Sequence, residues 1–135
     1  MIGLCHGCFD IFHYGHLLHL QAAKCIIGCG PLIVSITDDA HFPKHKGANR
    51  PVFNERQRAA MLIALDVVDM VFICRGSTGI EAIRQFKPKL YIKGIDYRTT
   101  GIGPEEAAEC KAVGARVVYT NTEKYASGDL AGFFK

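Results

Sequence analysis

Hydrophobic positions along the chain change their period repeatedly, from short continuous runs to the spacing of an amphipathic helix. Apolar runs rich in Val, Ile, Leu and aromatic residues predict strands at residues 2–9, 32–37, 67–73, 89–94 and 115–120. Segments of helical period separate them, at 17–23, 55–65, 80–86 and 105–113. Such alternation predicts right-handed βαβ crossovers. We therefore expect an α/β fold, a Rossmann-like open parallel five-stranded sheet with helices on both faces.

One long segment without apolar period, residues 38–53, separates the second predicted strand from the second predicted helix. It is rich in Asp, Pro, Lys, His, Gly and Asn. Loops of this length in compact domains are usually functional. Asn54 follows directly and predicts the N-cap of the next helix, because its side chain can accept a hydrogen bond from the first helical turn.

The composition indicates one globular domain over residues 1–135. The chain is 49% hydrophobic and 21% charged, so it can bury a core and does not resemble a disordered sequence. Its formal net charge of +3 is too small to indicate a nucleic-acid-binding surface, although a small anionic ligand is compatible with it. No apolar run reaches the roughly 18 residues of a membrane span, and no signal peptide is visible. We expect a cytoplasmic protein that binds neither nucleic acid nor membrane.

The six cysteines lie in apolar stretches, which is typical of buried thiols rather than a disulfide scaffold. Cys5 and Cys8, like Cys25 and Cys29, imitate zinc spacing, but the first pair straddles a predicted strand. His19 extends the histidine spacing of the first loop without the carboxylate or cysteine help that zinc usually needs. We expect mostly structural thiols and no metal bound by protein side chains.

The first predicted strand leads directly into a loop and a helix that carry two histidines. Ligands of open α/β sheets bind beyond the carboxyl ends of the strands, where a helix N-terminus offers unpaired N–H groups and a positive dipole end. His13 and His16 flank Gly15, whose missing side chain lets a ligand come close. Imidazoles can donate to phosphoryl oxygens. The pattern predicts a phosphate site for phosphoryl or nucleotidyl transfer, which demands mainly positioning and charge neutralisation.

The residues of this loop form a highly specific motif, Gly7-x-Phe9-Asp10-x-x-His13-x-Gly15-His16. It resembles the signature of the cytidylyltransferase-like nucleotidyltransferase superfamily. The resemblance continues over nearly the whole chain, at Lys44-His45-Lys46, Asn49-Arg50-Pro51-Val52, Glu55-Arg56-Gln57-Arg58, Val68-Asp69 and Lys93-Gly94-Ile95-Asp96-Tyr97. The Arg-Pro-Val and Lys-Gly-x-Asp-Tyr stretches are most similar to heptose-1-phosphate adenylyltransferases. The length and the histidine and lysine pattern also fit glycerol-3-phosphate cytidylyltransferases.

This resemblance implies direct in-line transfer of a nucleoside monophosphate from ATP or CTP to the phosphate of a small sugar or polyol. Pyrophosphate is released, and no covalent enzyme intermediate forms. A heptose-1-phosphate-like acceptor with ATP is the first expectation, and CTP with glycerol 3-phosphate is the alternative. Mg²⁺ is expected to accompany the triphosphate, and related enzymes are commonly homodimers.

The resemblance also implies roles for individual residues. His13 and His16 bind the phosphates and stabilise the transition state, while Lys44 and Lys46 close over them from the long loop. Arg58 reaches an acceptor or triphosphate phosphate. Asp10 and Asp38 support the loop or the base-side pocket, with Asp38 on the acceptor side. The expected nucleotide- or phosphate-binding set is Gly7, Cys8, Phe9, Asp10, Gly15, Lys93, Gly94, Asp96 and Ser127.

One stretch near the end of the chain departs from the family pattern. Similar enzymes carry adjacent Ser and Thr hydroxyls at the N-terminus of a last helix, where they bind the triphosphate tail. Here the stretch Ala126-Ser127-Gly128 keeps one hydroxyl. Backbone N–H groups of a helix N-terminus still suit phosphate. A nucleotide-binding module with weakened or lost turnover is therefore the rival interpretation from a different functional class.

Overall fold

The computed structural model describes residues 1–95 and 97–122, within which the chain forms a five-stranded sheet. The strands are β1 (Gly3–Gly7), β2 (Leu32–Thr37), β3 (Met70–Cys74), β4 (Leu90–Lys93) and β5 (Arg116–Tyr119). Their order is β3-β2-β1-β4-β5, and every neighbouring pair is parallel. The strand order reverses between β1 and β4, which is the switch point where such sheets bind ligands. The predicted α/β fold is confirmed.

Helices cover both faces of the sheet. In the described part of the chain they are α1 (Tyr14–Ile27), α2 (Glu55–Ile63), α3 (Ile80–Phe86), α4 (Tyr97–Thr100) and α5 (Pro104–Val113). One core cluster contains Leu20 of α1 and Leu62 of α2, and the other contains Ile83 of α3 and Cys110 of α5. The pattern did not predict α4, because four residues are too few to show a helical period. None of these helices combines the length and the apolar composition needed to cross a bilayer.

Local sequence signals placed several element ends correctly. Asn54 Oδ1 accepts the Gln57 N–H while Gln57 Oε1 accepts the Asn54 N–H, so a capping box begins α2. Pro104 is the first residue of α5. The third strand begins at Met70 rather than at residue 67. The Asp69 N–H donates to the Leu32 carbonyl, and the Asp69 carboxylate accepts the Leu32 N–H. The pairing of β3 with β2 begins at the next residue, Met70.

The cysteine thiols are free and differ in exposure. Cys5, Cys74 and Cys110 are buried, whereas Cys25 and Cys29 are exposed. The expectation of burial is therefore wrong for Cys25 and Cys29, because one lies on the outer side of α1 near its end and the other in the turn that follows. Burial raises the pKa of the Cys5 thiol to about 12. Within residues 1–95 and 97–122, no three His, Cys, Asp or Glu side chains are grouped so that they could hold a metal ion.

Candidate active site

The chain turns sharply after β1, and the turn depends on Gly7 and Phe9. Phe9 has a left-handed backbone conformation with φ of 49°, which is uncommon for a residue with a bulky side chain. Its ring lies over Gly7, where an added Cβ would be 2.8 Å from a ring carbon. The ring also packs edge-on against His16, with centroids 5.0 Å apart. These two motif residues therefore shape the loop and hold the His16 ring in place.

His13 and His16 begin α1, and the backbone determines which of their nitrogens carries the proton. His13 is the N-cap, and its Nδ1 accepts the Gly15 N–H at 3.1 Å. His16 Nδ1 accepts the His13 N–H at 3.3 Å. Because an accepting nitrogen is unprotonated, each neutral ring carries its proton on Nε2. Within the described residues neither Nε2 atom bonds to another protein group, so both Nε2–H donors can serve a ligand.

The surroundings of the two histidines keep both rings uncharged. The rings stack with their centroids 3.8 Å apart. The pKa of His16 is lowered to about 3, first by burial and then by the neighbouring His13, His19 and Lys46. Burial also lowers the pKa of His13. Neutral rings avoid placing cations against the positive end of the helix dipole. The pair is therefore a double hydrogen-bond donor that carries no charge near neutral pH.

We expect His16 to stay neutral between about pH 5 and 8, the range in which ordinary histidines titrate. Its folded-state pKa of about 3 lies well below the usual 6.5, so the ring does not gain a proton over this range. Histidine side-chain ¹⁵N NMR should show the Nε2–H tautomer throughout. A protonated His16 ring at pH 6 would contradict this assignment.

Asp10 is buried and anchors the long loop. Its carboxylate accepts from Arg50 Nε at 2.5 Å, from the Val52 N–H at 2.8 Å and from the Phe53 N–H at 2.9 Å. Burial alone would raise the pKa of Asp10, but the bonds from Phe53, Val52 and Arg50 outweigh it and lower that pKa below its usual value. The carboxylate thereby ties the loop after β1 to the segment before α2. This placement favours the loop-support role expected of Asp10.

Arg58 lies in the first turns of α2, and its side chain is fully enclosed. The guanidinium donates to the carbonyl oxygens of Cys8, Thr37 and Phe53 and to the Asp39 carboxylate. With no exposed surface and every nitrogen bonded to a protein group, Arg58 presents no guanidinium nitrogen at the surface of the site. The expected contact of Arg58 with the acceptor or the triphosphate stays a prediction, and this arrangement does not favour it. No local sequence signal could show its true partners, because Cys8 and Thr37 come from other segments of the chain.

The loop between β2 and α2 carries the two lysines on a short 3-10 turn, Lys44–Lys46. Both side chains are exposed, and Lys46 is close enough to His16 to lower the pKa of that imidazole. Asp38 begins the loop, accepts the His41 N–H and contacts the His41 ring, with 2.8 Å between Oδ1 and Nδ1. The structure thus brings Lys46 towards the histidine pair, whereas Asp38 is engaged by His41 of its own loop and by the Gly76 N–H, which follows β3 and donates to Oδ1 at 3.4 Å.

The end of β4 lies beside β1 and places a cation at the switch point. Lys93 is buried, and its Nζ donates to the His6 carbonyl at 3.4 Å and lies 4.5 Å from the centroid of the Tyr97 ring. This position beside the first loop suits the expected contact with nucleotide phosphates. Gly94, the residue after β4, is half-buried. Asp96, which was also expected here, and the stretch Ala126, Ser127 and Gly128 lie outside the described residues.

Contacts that the sequence did not reveal complete the framework of the site. His19 is bonded to Thr120, with 2.7 Å between Nδ1 and Oγ1, so α1 is tied to the end of β5. The Cys8 thiol contacts the Thr37 hydroxyl, with 3.8 Å between Sγ and Oγ1. Gly15 is buried in the first turn of α1. The spacing of the histidines indicated that they share a helix face, but it did not indicate that His19 is bonded to Thr120 at the end of β5.

Comparison with known proteins identifies one family. The profile of the family described as cytidylyltransferase-like matches residues 4–126. Relatives called Bifunctional protein HldE share 42% identity over 117 residues in Bradyrhizobium diazoefficiens and 41% over 111 residues in Campylobacter fetus subsp. fetus. These alignments cover 87% and 80% of this chain but 23% of each relative. The chain therefore spans less than a quarter of the length of these relatives.

Two solved structures share the fold. The lipopolysaccharide core biosynthesis protein from Thermoplasma volcanium GSS1 has a TM-score of 0.70 and 24% identity, covering 93% of this chain and 98% of that one. The pantoate-beta-alanine ligase from Francisella tularensis has a TM-score of 0.61 and 16% identity, covering 94% and 61%. Identities this low support the fold alone. The profile match over residues 4–126 confirms the resemblance that the first-loop motif indicated, and the chain belongs to the cytidylyltransferase-like family of nucleotidyltransferases.

Proposed function

We propose that this chain transfers a nucleoside monophosphate from a nucleoside triphosphate to the phosphate of a small sugar or polyol. The observation that carries the proposal is the histidine pair at the N-terminus of α1. His13 and His16 stack 3.8 Å apart, and each presents an Nε2–H donor oriented by a backbone bond to Nδ1. Membership of the cytidylyltransferase-like family supports the same class of reaction.

The proposed reaction is a single in-line displacement. An oxygen of the acceptor phosphate forms a bond to the α-phosphorus while the bond from that phosphorus to the bridging oxygen breaks. Pyrophosphate leaves with the electron pair, and no protein group is modified. The two Nε2–H donors stabilise the charge on the α-phosphate oxygens without reorganising, since the backbone already fixes both rings. Lys44 and Lys46 add positive charge from the loop.

Mg²⁺ is proposed to enter with the triphosphate and to neutralise its charge. Asp10 is the carboxylate of the motif, but both of its oxygens already accept bonds from Arg50, Val52 and Phe53. The described part of the chain holds no cluster of three metal-binding side chains. Mg²⁺ keeps several waters and is commonly held through substrate phosphates. Phosphate oxygens and water would therefore supply its ligands here.

The proposed acceptor is heptose 1-phosphate, with ATP as the nucleotide donor. Support comes from the Arg-Pro-Val stretch at 50–52 and the Lys-Gly-x-Asp-Tyr stretch at 93–97, which resemble heptose-1-phosphate adenylyltransferases. The identity of 42% with a Bifunctional protein HldE is in line with this choice. CTP with glycerol 3-phosphate is the alternative, because the histidine and lysine pattern fits both pairs.

Pyrophosphate exchange tests the proposal. Labelled pyrophosphate should enter ATP, and not CTP, GTP or UTP, and only when heptose 1-phosphate is present. Exchange with CTP and glycerol 3-phosphate would select the alternative substrates. Exchange without any acceptor would show a covalent nucleotidyl intermediate and contradict direct transfer. Calorimetric binding of ATP without exchange for any pair would show a nucleotide-binding module instead of an enzyme.

We expect nucleotide to protect the loop that carries Lys44 and Lys46 from trypsin. Both lysines are exposed without ligand, and binding of the triphosphate would draw their side chains onto the phosphates. Cleavage at the two sites should be followed by mass spectrometry with and without saturating ATP and Mg²⁺. Cleavage after Lys111, which is also exposed and lies in the last turn of α5, serves as the internal control. Equal protection at all three sites would argue against closure of the loop.

A further inference from the structure

The parallel ladder between β1 and β2 ends where the active-site loops begin. The last paired residues are Gly7 and Ile36, so Cys8 and Thr37 would be the next pair in register. Instead, one nitrogen of Arg58 lies between their carbonyl groups, and Nη1 donates to Cys8 O at 3.0 Å and to Thr37 O at 2.7 Å. The guanidinium therefore sets the separation of the two strand ends.

The remaining nitrogens of Arg58 extend this connection to the long loop. Nε donates to the Phe53 carbonyl at 3.0 Å, and Nη2 donates to the Asp39 carboxylate at 2.7 Å. The Phe53 N–H in turn donates to Asp10 at 2.9 Å. One side chain thus joins the segment that leads to the histidines with both ends of the segment that carries the lysines.

The chemistry of this position requires arginine. A fully buried cation is costly unless it is paired and hydrogen-bonded, and here three carbonyls and one carboxylate accept four hydrogen bonds that involve every guanidinium nitrogen. A planar guanidinium directs its donors at fixed angles, whereas a lysine ammonium has three donors on one atom. Lysine can occupy the site but cannot bridge all four partners.

We infer that Arg58 is a positioning residue, which holds the histidine-bearing loop and the lysine-bearing loop at the separation that the triphosphate needs. The inference rests on the proposed function, which identifies the ligand of the two loops as a nucleoside triphosphate. Arg58 acts through the backbone of Cys8, Thr37 and Phe53, without touching substrate. Misplacement by about 1 Å far from the chemistry can cost about 10²-fold in rate, so a side chain in this place has a large effect on catalysis.

The test compares Arg58→Lys with Ile83→Ala, which destabilises the core on the other face of the sheet, where Ile83 is fully buried. Two readouts are measured on folded protein: the trypsin cleavage rate after Lys44 and Lys46 without nucleotide, and the KM for ATP. Loss of charged hydrogen bonds should speed cleavage in Arg58→Lys by about 10-fold or more. Its KM should rise by a similar factor, whereas Ile83→Ala changes neither.

Equal cleavage and equal KM in the two variants would overturn the positioning role, since only stability would then be affected. If Arg58→Lys does not fold, Asp39→Ala removes the partly exposed carboxylate that accepts from Arg58 Nη2. Faster cleavage after Lys44 and Lys46 in Asp39→Ala supports the role, and an unchanged rate overturns it. A wild-type protein without turnover would refute the proposed function, while the cleavage rates would still decide the role of Arg58.

Discussion

Turnover is expected to fall by about 10²-fold or more in His13→Ala and in His16→Ala, which is the usual loss for one transition-state donor. Each substitution removes an Nε2–H that the backbone holds towards the ligand site. The rings are neutral, so the loss reflects a hydrogen-bond donor rather than a charge. Steady-state kinetics with saturating substrates measure kcat, and circular dichroism checks the fold.

Two further variants separate catalysis from helix capping. His13→Asp keeps a favourable N-cap acceptor but has no hydrogen-bond donor, so its kcat should fall at least as far as that of His13→Ala. Cys25→Ala lies at the other end of α1 on an exposed position and should keep wild-type kcat. Wild-type turnover in both folded histidine variants would show that the active site lies elsewhere.

Asp10→Ala is expected to lower the free energy of unfolding by about 3–5 kcal/mol, the usual cost of removing one partner from a buried ion pair. The substitution leaves Arg50 without its carboxylate and the Val52 and Phe53 N–H groups without an acceptor. Urea denaturation measures the change. A loss below about 1 kcal/mol, the range of a surface pair, would show that these contacts are weak in solution.

The contribution of Asp10 should also depend on pH in a defined direction. Its folded-state pKa lies below the 3.8 of an ordinary aspartate, so its contribution is complete above that value. The contribution declines as the pH falls below 3.8 and is lost as the pH falls through the folded-state pKa. Asp10→Asn has no such ionisation and serves as the matched control. Identical acid unfolding profiles for the two proteins would contradict the assignment.

Short-range patterns predicted much of this fold because each acts within a few residues. The β-branched run 32–37 is β2 to the residue, and its burial on both faces explains the continuous apolar pattern. Asn54 and Pro104 mark the starts of α2 and α5 through local capping and proline geometry. The apolar pattern could not predict that Cys25 is exposed, since the exposure of a residue near a helix end depends on what packs against it.

The position of the two histidines at the start of a helix also followed from the sequence. A strand, a loop with glycine and a helix occur in the order that a phosphate site requires, and the structure places His13 and His16 at the start of α1. The sequence could not predict which nitrogen of each ring carries the proton, because this depends on backbone N–H donors that reach the rings only in the folded turn. The left-handed conformation of Phe9 belongs to the same turn.

By itself, the sequence determined the alternation along the chain of five strands with four of the helices, the starts of α2 and α5, and the loop that carries the histidines. Only the tertiary structure decided the partners of the buried residues Asp10 and Arg58. Asp10 bonds residues 40 to 43 positions away, and Arg58 bonds Cys8 across 50 positions. Hydrophobic period and capping are short-range, whereas these pairings form only after the crossover brings β1, β2 and α2 together. A charged residue needs polar partners once it is buried, and in this protein only the tertiary structure determines which residues those partners are.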